Sequence, residues 1–176
     1  VRALVEEGDI GRARKCRRVF RYIDDLLAVD DDGEIERSWQ AIYPSSLVLK
    51  KENNEDYTTH FLDLDMVLND GRIVFSLYDK RDDFPFEVRS FPDLSGNIHF
   101  SRSHGVVIGQ LQRFAKASDH YVGFKQRTKR LTTKLLQQGF DKRTLEKRCA
   151  KAYEERPELF GKYHVRQEEF VSNCFH

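Results

Sequence analysis

In 176 residues the chain carries one methionine, one tryptophan, four prolines and three cysteines. The cysteines, Cys16, Cys149 and Cys174, are odd in number and far apart, so neither a CxxC zinc pair nor a disulfide framework is expected. A reducing intracellular compartment, nuclear or cytoplasmic, is the corresponding expectation. No apolar run approaches the ~18 residues that cross a bilayer, so no membrane is expected as a partner. The opening "VRALVEEGDIGRARKCRR" is charged throughout and does not read as a secretory leader. The first residue is Val1, not Met, and the chain is expected to be part of a longer protein. There is no P-loop, no GxSxG and no HExxH, and the six histidines lack cysteine partners for zinc. "DDDGE" at Asp30–Glu34 is not a calcium loop, because Gly33 falls too early for the ligand spacing. Internal repeats and low-complexity segments are absent.

What is present reads as folded and highly charged. The hydrophobic fraction is 39%, the charged fraction 34%, and there are 13 phenylalanines and 7 tyrosines. The length suits one domain or two small subdomains. A net charge of +1 conceals an asymmetry. Residues 1–92 hold 14 basic against 20 acidic side chains, and residues 93–176 hold 16 against 9. Uneven but functionless surface charge would give this division, and so would a carboxylate–metal centre beside a polyanion-binding surface.

The pattern along the chain predicts an α+β first half and an all-helical second half. Leu4 to Arg18 reads as a basic-ended helix broken or bent near Gly8 and Gly11. Val19–Ile23 and Leu26–Val29 are β-rich runs two residues apart, which signals a hairpin. A short helix is expected over Glu34–Ile42 with Ile35, Trp39 and Ile42 on one stripe, ended by Pro44. "SLVLKKE" at Ser46–Glu52 reads as a strand, and Phe61–Leu68 with Ile73–Tyr78 flank the turn "NDGR" as a second hairpin. "FPFEVRSF" alternates like another short strand, with Pro85 and Pro92 suggesting an edge or a crossing segment rather than a central strand. Four helices should follow, over Ser103–Ser118, Tyr121–Gln138, Asp141–Arg156 and Pro157–Cys174, with Gly139 ending the second and Asp141 capping the third.

The stretch "VFRYIDDLLAV" sets Asp24 and Asp25 together between apolar runs. Paired carboxylates there need compensation if they are buried. Arg21 would supply it, and a hard divalent cation would do so more directly, since Mg²⁺ takes one or two carboxylates plus phosphate oxygens. A hairpin tip that aims both acids outward suits metal-assisted phosphoryl or nucleotidyl transfer. The plainer reading is an exposed turn, because Asp is a common turn residue.

The flanks extend the pattern. "FRYIDDLL", then a helix, then "LVLKKEN", then "FLDLDMVL" running through "IVFSLYDK", resembles the ordered blocks of a reverse transcriptase palm, with Tyr-x-Asp-Asp as its catalytic hairpin. "DGRIVFSLYDKRDDFPFEV" and "GVVIGQLQRFAKA" look most like the retroelement branch that includes Penelope-like and related non-LTR elements, in which a helical thumb follows directly. The resemblance covers essentially the whole chain. It implies a partial palm over residues 1–92, made of antiparallel hairpins with one or two packed helices, and a helical thumb over residues 93–176. It implies RNA-directed DNA polymerase activity in the intact protein, with Mg²⁺ or Mn²⁺ as cofactor and dNTP, RNA template and DNA primer as partners. Asp24 would be the main metal ligand and Asp25 the second acid. Tyr22 would lie near the primer end or the incoming nucleotide, and Lys50 or Lys51 near the triphosphate, as a proton donor or a counter-charge. Phe61, Asp63 and Lys80 would border the primer. On a continuous strand, Phe61, Asp63 and Asp65 share one face, which is expected to face primer or solvent rather than metal.

The helical half adds a basic face. Between Arg113 and Lys151 there are 12 basic residues against 3 acids, with Phe114, Tyr121, Phe124 and Phe140 interleaved. Arg113, Lys116, Lys125, Arg127, Lys129, Arg130 and Lys134 are the candidates for nucleic-acid contact. An ordinary bundle with solvated lysines would have the same composition.

One departure from the family pattern matters. A polymerase palm needs a third carboxylate from an upstream strand, and only Glu6, Glu7 and Asp9 precede Asp24, all in a helical stretch. The fingers are missing too. They and that strand are expected in an upstream segment of the parent protein, and the chain alone is expected to be inactive. A non-catalytic nucleic-acid-binding remnant or domesticated retroelement fragment is the first alternative. A carboxylate–metal nuclease or phosphatase is the second.

Overall fold

A computed structural model of the chain describes residues 2–30, 32–53, 57–86, 88, 91, 94, 96–97 and 99–176. The architecture is α+β, with antiparallel strands toward the N-terminus and a helical region toward the C-terminus. Packing divides it into two compact units, Val1–Leu62 and Asp63–His176. This division runs thirty residues ahead of the boundary expected from sequence texture, so the second hairpin belongs with the helices.

In the first unit the opening helix is broken near Gly8, as the sequence pattern allows. Helices α1 (Arg2–Glu6) and α2 (Ile10–Lys15) are separated at Gly8, whose φ of 78° lies in the left-handed region that glycine tolerates best. Asp9 caps α2 by accepting from the Arg12 amide at 3.1 Å. A 3₁₀ turn, Cys16–Arg18, leads into β1 (Val19–Tyr22), which pairs antiparallel with β2 (Asp25–Ala28). Helix α3 spans Glu34–Ile42, as the pattern predicts, but its buried residues are Glu34 and Ser38. The expected apolar stripe is less covered: Ile35 and Trp39 are half-buried and Ile42 is exposed. The reason is electrostatic. Arg12 donates to the Glu34 carboxylate at 2.8 Å and to the Ser38 hydroxyl at 2.8 Å, and this polar cluster holds α3 to α2. Ser46–Glu52 is not a strand: residues 47–53 have no regular structure, and Val48 is 87% exposed. A strand without a ladder partner gains nothing from β propensity. Strand β3 (Thr58–Phe61) ends the unit. Buried apolar residues among those described here are only Ala13 and Cys16.

The second unit begins with a hairpin. Strands β4 (Leu64–Asn69) and β5 (Arg72–Leu77) pair in the register Leu64↔Leu77 to Asn69↔Arg72. The turn residues Asp70 and Gly71 both have positive φ, 48° and 73°, the type I′ pattern that matches strand twist. Phe61 to Leu68 is therefore not one strand, since the chain turns at Leu62 and Asp63 and places Phe61 in β3. The turn residue Leu62 has a φ of 56°. Among the described residues of "FPFEVRSF" there is no strand; Glu87, Arg89, Ser90 and the nearby Pro92 lie outside them.

Helices α4 (Phe100–Ala117), α5 (Tyr121–Gln137) and α6 (Lys142–Glu155) follow close to their predicted spans. Gly139, with φ of 86°, ends α5 in a Schellman motif: its amide donates to Leu136 and that of Phe140 to Leu135. The Asp141 carboxylate caps α6 by accepting from the Thr144 amide at 2.8 Å. The predicted fourth helix is two, α7 (Pro157–Gly161) and α8 (Gln167–Asn173), with His164 at a φ of 54° between them. That break presents Lys162, which donates to the carbonyls of Ala115 at 2.6 Å and Ser118 at 2.7 Å and satisfies the C-terminus of α4. The core is here. Phe124, Phe160 and Phe170 are buried against one another with centroids 5.0–5.9 Å apart, and Leu111, Leu135, Leu145 and Cys149 complete the packing. Strand β5 contributes Leu77. No described helix is long and apolar enough to cross a membrane.

Candidate catalytic hairpin and basic face

Local sequence builds the β1–β2 hairpin. Val19↔Ala28 through Tyr22↔Asp25 form the ladder, leaving Ile23 and Asp24 as the two turn residues. The turn is thus one residue earlier than the apolar runs suggest, and Asp25 stands in the ladder opposite Tyr22. Ile23 has a φ of 53°, a positive value at the first of the two turn positions. Glycine is usual there, and a β-branched residue is strained by about 1–3 kcal/mol. Other described non-glycine residues have positive φ, but Ile23 alone among them is β-branched.

The environment of the two aspartates corrects the premise of burial. None of the eight strand residues is buried; Phe20, Tyr22 and Ile23 are 55%, 54% and 72% exposed. Asp24 and Asp25 stand in water and need no counter-charge to exist there. Arg21 does not supply one. Its guanidinium donates to the Ile23 carbonyl at 2.9 Å and to the Tyr43 hydroxyl at 3.1 Å, and lies 5.3 Å from the Tyr43 ring centroid. Most other acids of this unit are paired. Asp30 pairs with Arg18, Asp32 with Lys15 at 2.9 Å, and Glu36 with Lys51 at 2.8 Å. Lysine 15 holds the Asp32 carboxyl below its ordinary range by hydrogen bond and charge. The hydrogen bonds from Ser38 and Arg12 bring Glu34 down to about 2. Among the described acids of the unit, only Asp24, Asp25 and Glu7 make no ion pair.

As a donor set, two adjacent unpaired carboxylates fit a hard cation that also takes phosphate oxygens. No group of three or more His, Cys, Asp or Glu side chains converges among the described residues. Lys50 and Lys51 lie on irregular chain, so strand alternation does not separate them. Lys50 pairs weakly with Glu52 at 3.4 Å, with its side chain 82% exposed.

The second unit distributes its candidates over two clefts. Asp63, Arg113 and Lys116 line one of about 440 Å³. Asp63 and Arg113 are ion-paired at 2.7 Å, which fixes Asp63 against α4. Arg127, Lys129, Arg130 and Lys134 line the other, of about 740 Å³. Lys125 lines neither; its ammonium donates to the Asn173 side chain at 2.8 Å. Lys80 is exposed in a 3₁₀ turn, Lys80–Asp83. Several cations already hold internal acceptors. Arg127 and Arg130 share Asp82, Lys129 donates to the His176 carbonyl, and Lys134 donates to Val88. Arg130 is the exposed member of this set, with its side chain 67% exposed, and a pair of that kind contributes about 0–1 kcal/mol.

Sequence reasoning missed Arg81, Phe84 and Phe86, which line the larger cleft. The strand expectation for "FPFEVRSF" concealed them, although aromatics next to "KRDD" were a usable signal. It also missed Arg12, whose partner Glu34 lies 22 residues away.

Compared with known protein families, with curated proteins and with solved structures, the chain matches none.

Proposed function

We propose that this chain is the palm and thumb portion of an RNA-directed DNA polymerase whose intact form transfers nucleotides from dNTP to a primer 3′-hydroxyl. The observation that carries the reading is the Tyr22–Asp25 turn. Two unpaired aspartates sit at a strained tip, while Arg21, one residue from Tyr22, bonds elsewhere. Backbone strain at an exposed β-branched residue is a reason to look for function. The order of the blocks around the turn supports the same reading.

In this reading Asp24 and Asp25 hold Mg²⁺ or Mn²⁺, which supplies charge neutralisation for the triphosphate and activation of the primer hydroxyl. Tyr22 offers an exposed ring to the primer end or the incoming base. Lys50 or Lys51 balances pyrophosphate charge. The hairpin β4–β5, Phe61 and Lys80 border the primer, and the basic helices follow the template–primer backbone. Residues 1–92 then act as palm and residues 93–176 as thumb. A third carboxylate and the fingers come from an upstream segment.

The test is template–primer binding by the chain with and without Mg²⁺, together with dNTP incorporation. Mg²⁺ should tighten binding, and Asp24→Asn with Asp25→Asn should abolish that gain; incorporation should require the upstream segment. Affinity indifferent to both aspartates and to Mg²⁺ would instead identify a non-catalytic binding remnant. Cleavage without dNTP would identify a nuclease.

A further inference from the structure

The larger cleft of the second unit combines features that backbone binding alone does not require. Phe84 and Phe86 stand at its wall with ring centroids 5.3 Å apart, 45% and 63% exposed. Its floor is apolar, from Phe91, Phe114 and Leu131. Among the described residues, five cations line it, Arg81, Arg127, Lys129, Arg130 and Lys134, against two acids, Asp79 and Asp82, a net of +3 for these side chains. The acids are internally committed: Asp79 to Arg81, and Asp82 to Arg127 and Arg130. Arg127 also donates to the Leu77 carbonyl at 3.1 Å, so its guanidinium is anchored. Arg130 reaches solvent, with its side chain 67% exposed. The volume, about 740 Å³, falls within the ~300–1,000 Å³ of ligand pockets.

We infer that this cleft takes an unpaired nucleotide of a single strand, with its base against Phe86, the more exposed ring of the pair, and its phosphates against Arg130 and Lys129. A positive cleft attracts polyanions generally, so charge does not choose among them. The exposed ring pair does. An unpaired base presents a π-face that can stack on an aromatic side chain, whereas the bases of a duplex are already stacked on one another. An acidic peptide would satisfy the charge and leave the rings in water. The inference rests on nucleic acid being the partner of the second unit and is independent of any role for Asp24 and Asp25.

The experiment uses the full chain with short labelled RNA and DNA single strands, an abasic strand of equal charge, and a duplex. Base-bearing single strands should bind tighter than the abasic one. Phe86→Ala, at an exposed ring, should weaken them roughly 5- to 100-fold, the range for loss of one stacked base, and leave abasic and duplex binding unchanged. RNA and DNA arms report whether the sugar matters. Arg130→Gln should reduce the salt slope by about one unit. Unchanged circular dichroism guards against misfolding of the variants. Single-strand binding indifferent to Phe86→Ala while duplex binding persists would overturn the inference and leave the nucleic-acid reading standing. Binding to none of the probes would overturn both. Displacement by an acidic aromatic peptide as effective as unlabelled strand would assign the cleft to a protein partner and overturn the inference.

Discussion

Arg12 reaches across 22 residues of sequence to donate a 2.8 Å hydrogen bond to Glu34, a carboxylate only 5% exposed. With Ser38 accepting from the same guanidinium and donating to Glu34 at 2.6 Å, this triad fills the place that an apolar core would occupy in the first unit.

Acid should therefore loosen the first unit. The Glu34 carboxyl is brought from its ordinary 4.5 to about 2 in the fold, so its contribution is complete above pH 4.5 and is lost as pH falls through about 2. The only tryptophan, Trp39, lies on α3 and reports on this unit. Urea midpoints followed by its fluorescence should fall between pH 6 and pH 3 in the parent, and by a smaller amount in Glu34→Gln. An equal fall in both would show that Glu34 is not the titrating group.

Replacing Ile23 by Asn should relieve the turn. Asn tolerates left-handed backbone, and Ile23 is 72% exposed, so little burial is lost. The expected gain is about 1 kcal/mol in the Trp39 unfolding transition. If the reading of the hairpin is right, nucleotide incorporation by the protein joined to its upstream segment should fall at the same time. Loss of stability in Ile23→Asn would contradict the strain argument.

Asp24→Asn with Asp25→Asn should leave the unfolding free energy within about 0.5 kcal/mol of the parent, as for surface positions without partners. A larger loss would mean that the carboxylates hold the hairpin together and would favour the plain structural turn.

In the second unit, Asp141→Ala should cost about 1 kcal/mol through the lost cap of α6. Gly139→Ala should cost a comparable amount, about 1 kcal/mol, because its φ of 86° is strained for alanine. Phe124→Ala, which empties the centre of the aromatic cluster, should cost about 3–5 kcal/mol. Helical circular dichroism during urea unfolding ranks all three.

The features legible in the sequence are those set by neighbours along the chain. Helix α3, the Gly139 stop, the Asp141 cap and the Asp70–Gly71 turn depend on residues within about one helical turn or one hairpin, where propensity and capping act, and the β1–β2 hairpin was legible to within one residue. The paired aspartates and the basic composition of α5 were equally visible. What tertiary structure decided involves partners that no local pattern specifies. Ser46–Glu52 has β-rich residues but no ladder partner to make it a strand. The last helix divides so that Lys162 can reach the end of α4, 44 to 47 residues earlier. Arg12 selects Glu34 over the apolar stripe of α3, and Asp82 gathers Arg127 and Arg130 beside Phe84 and Phe86. Burial of polar groups depends on which distant chain arrives to satisfy them, so the composition of the carboxylate turn could be read directly, whereas the walls of the aromatic cleft emerged only on folding.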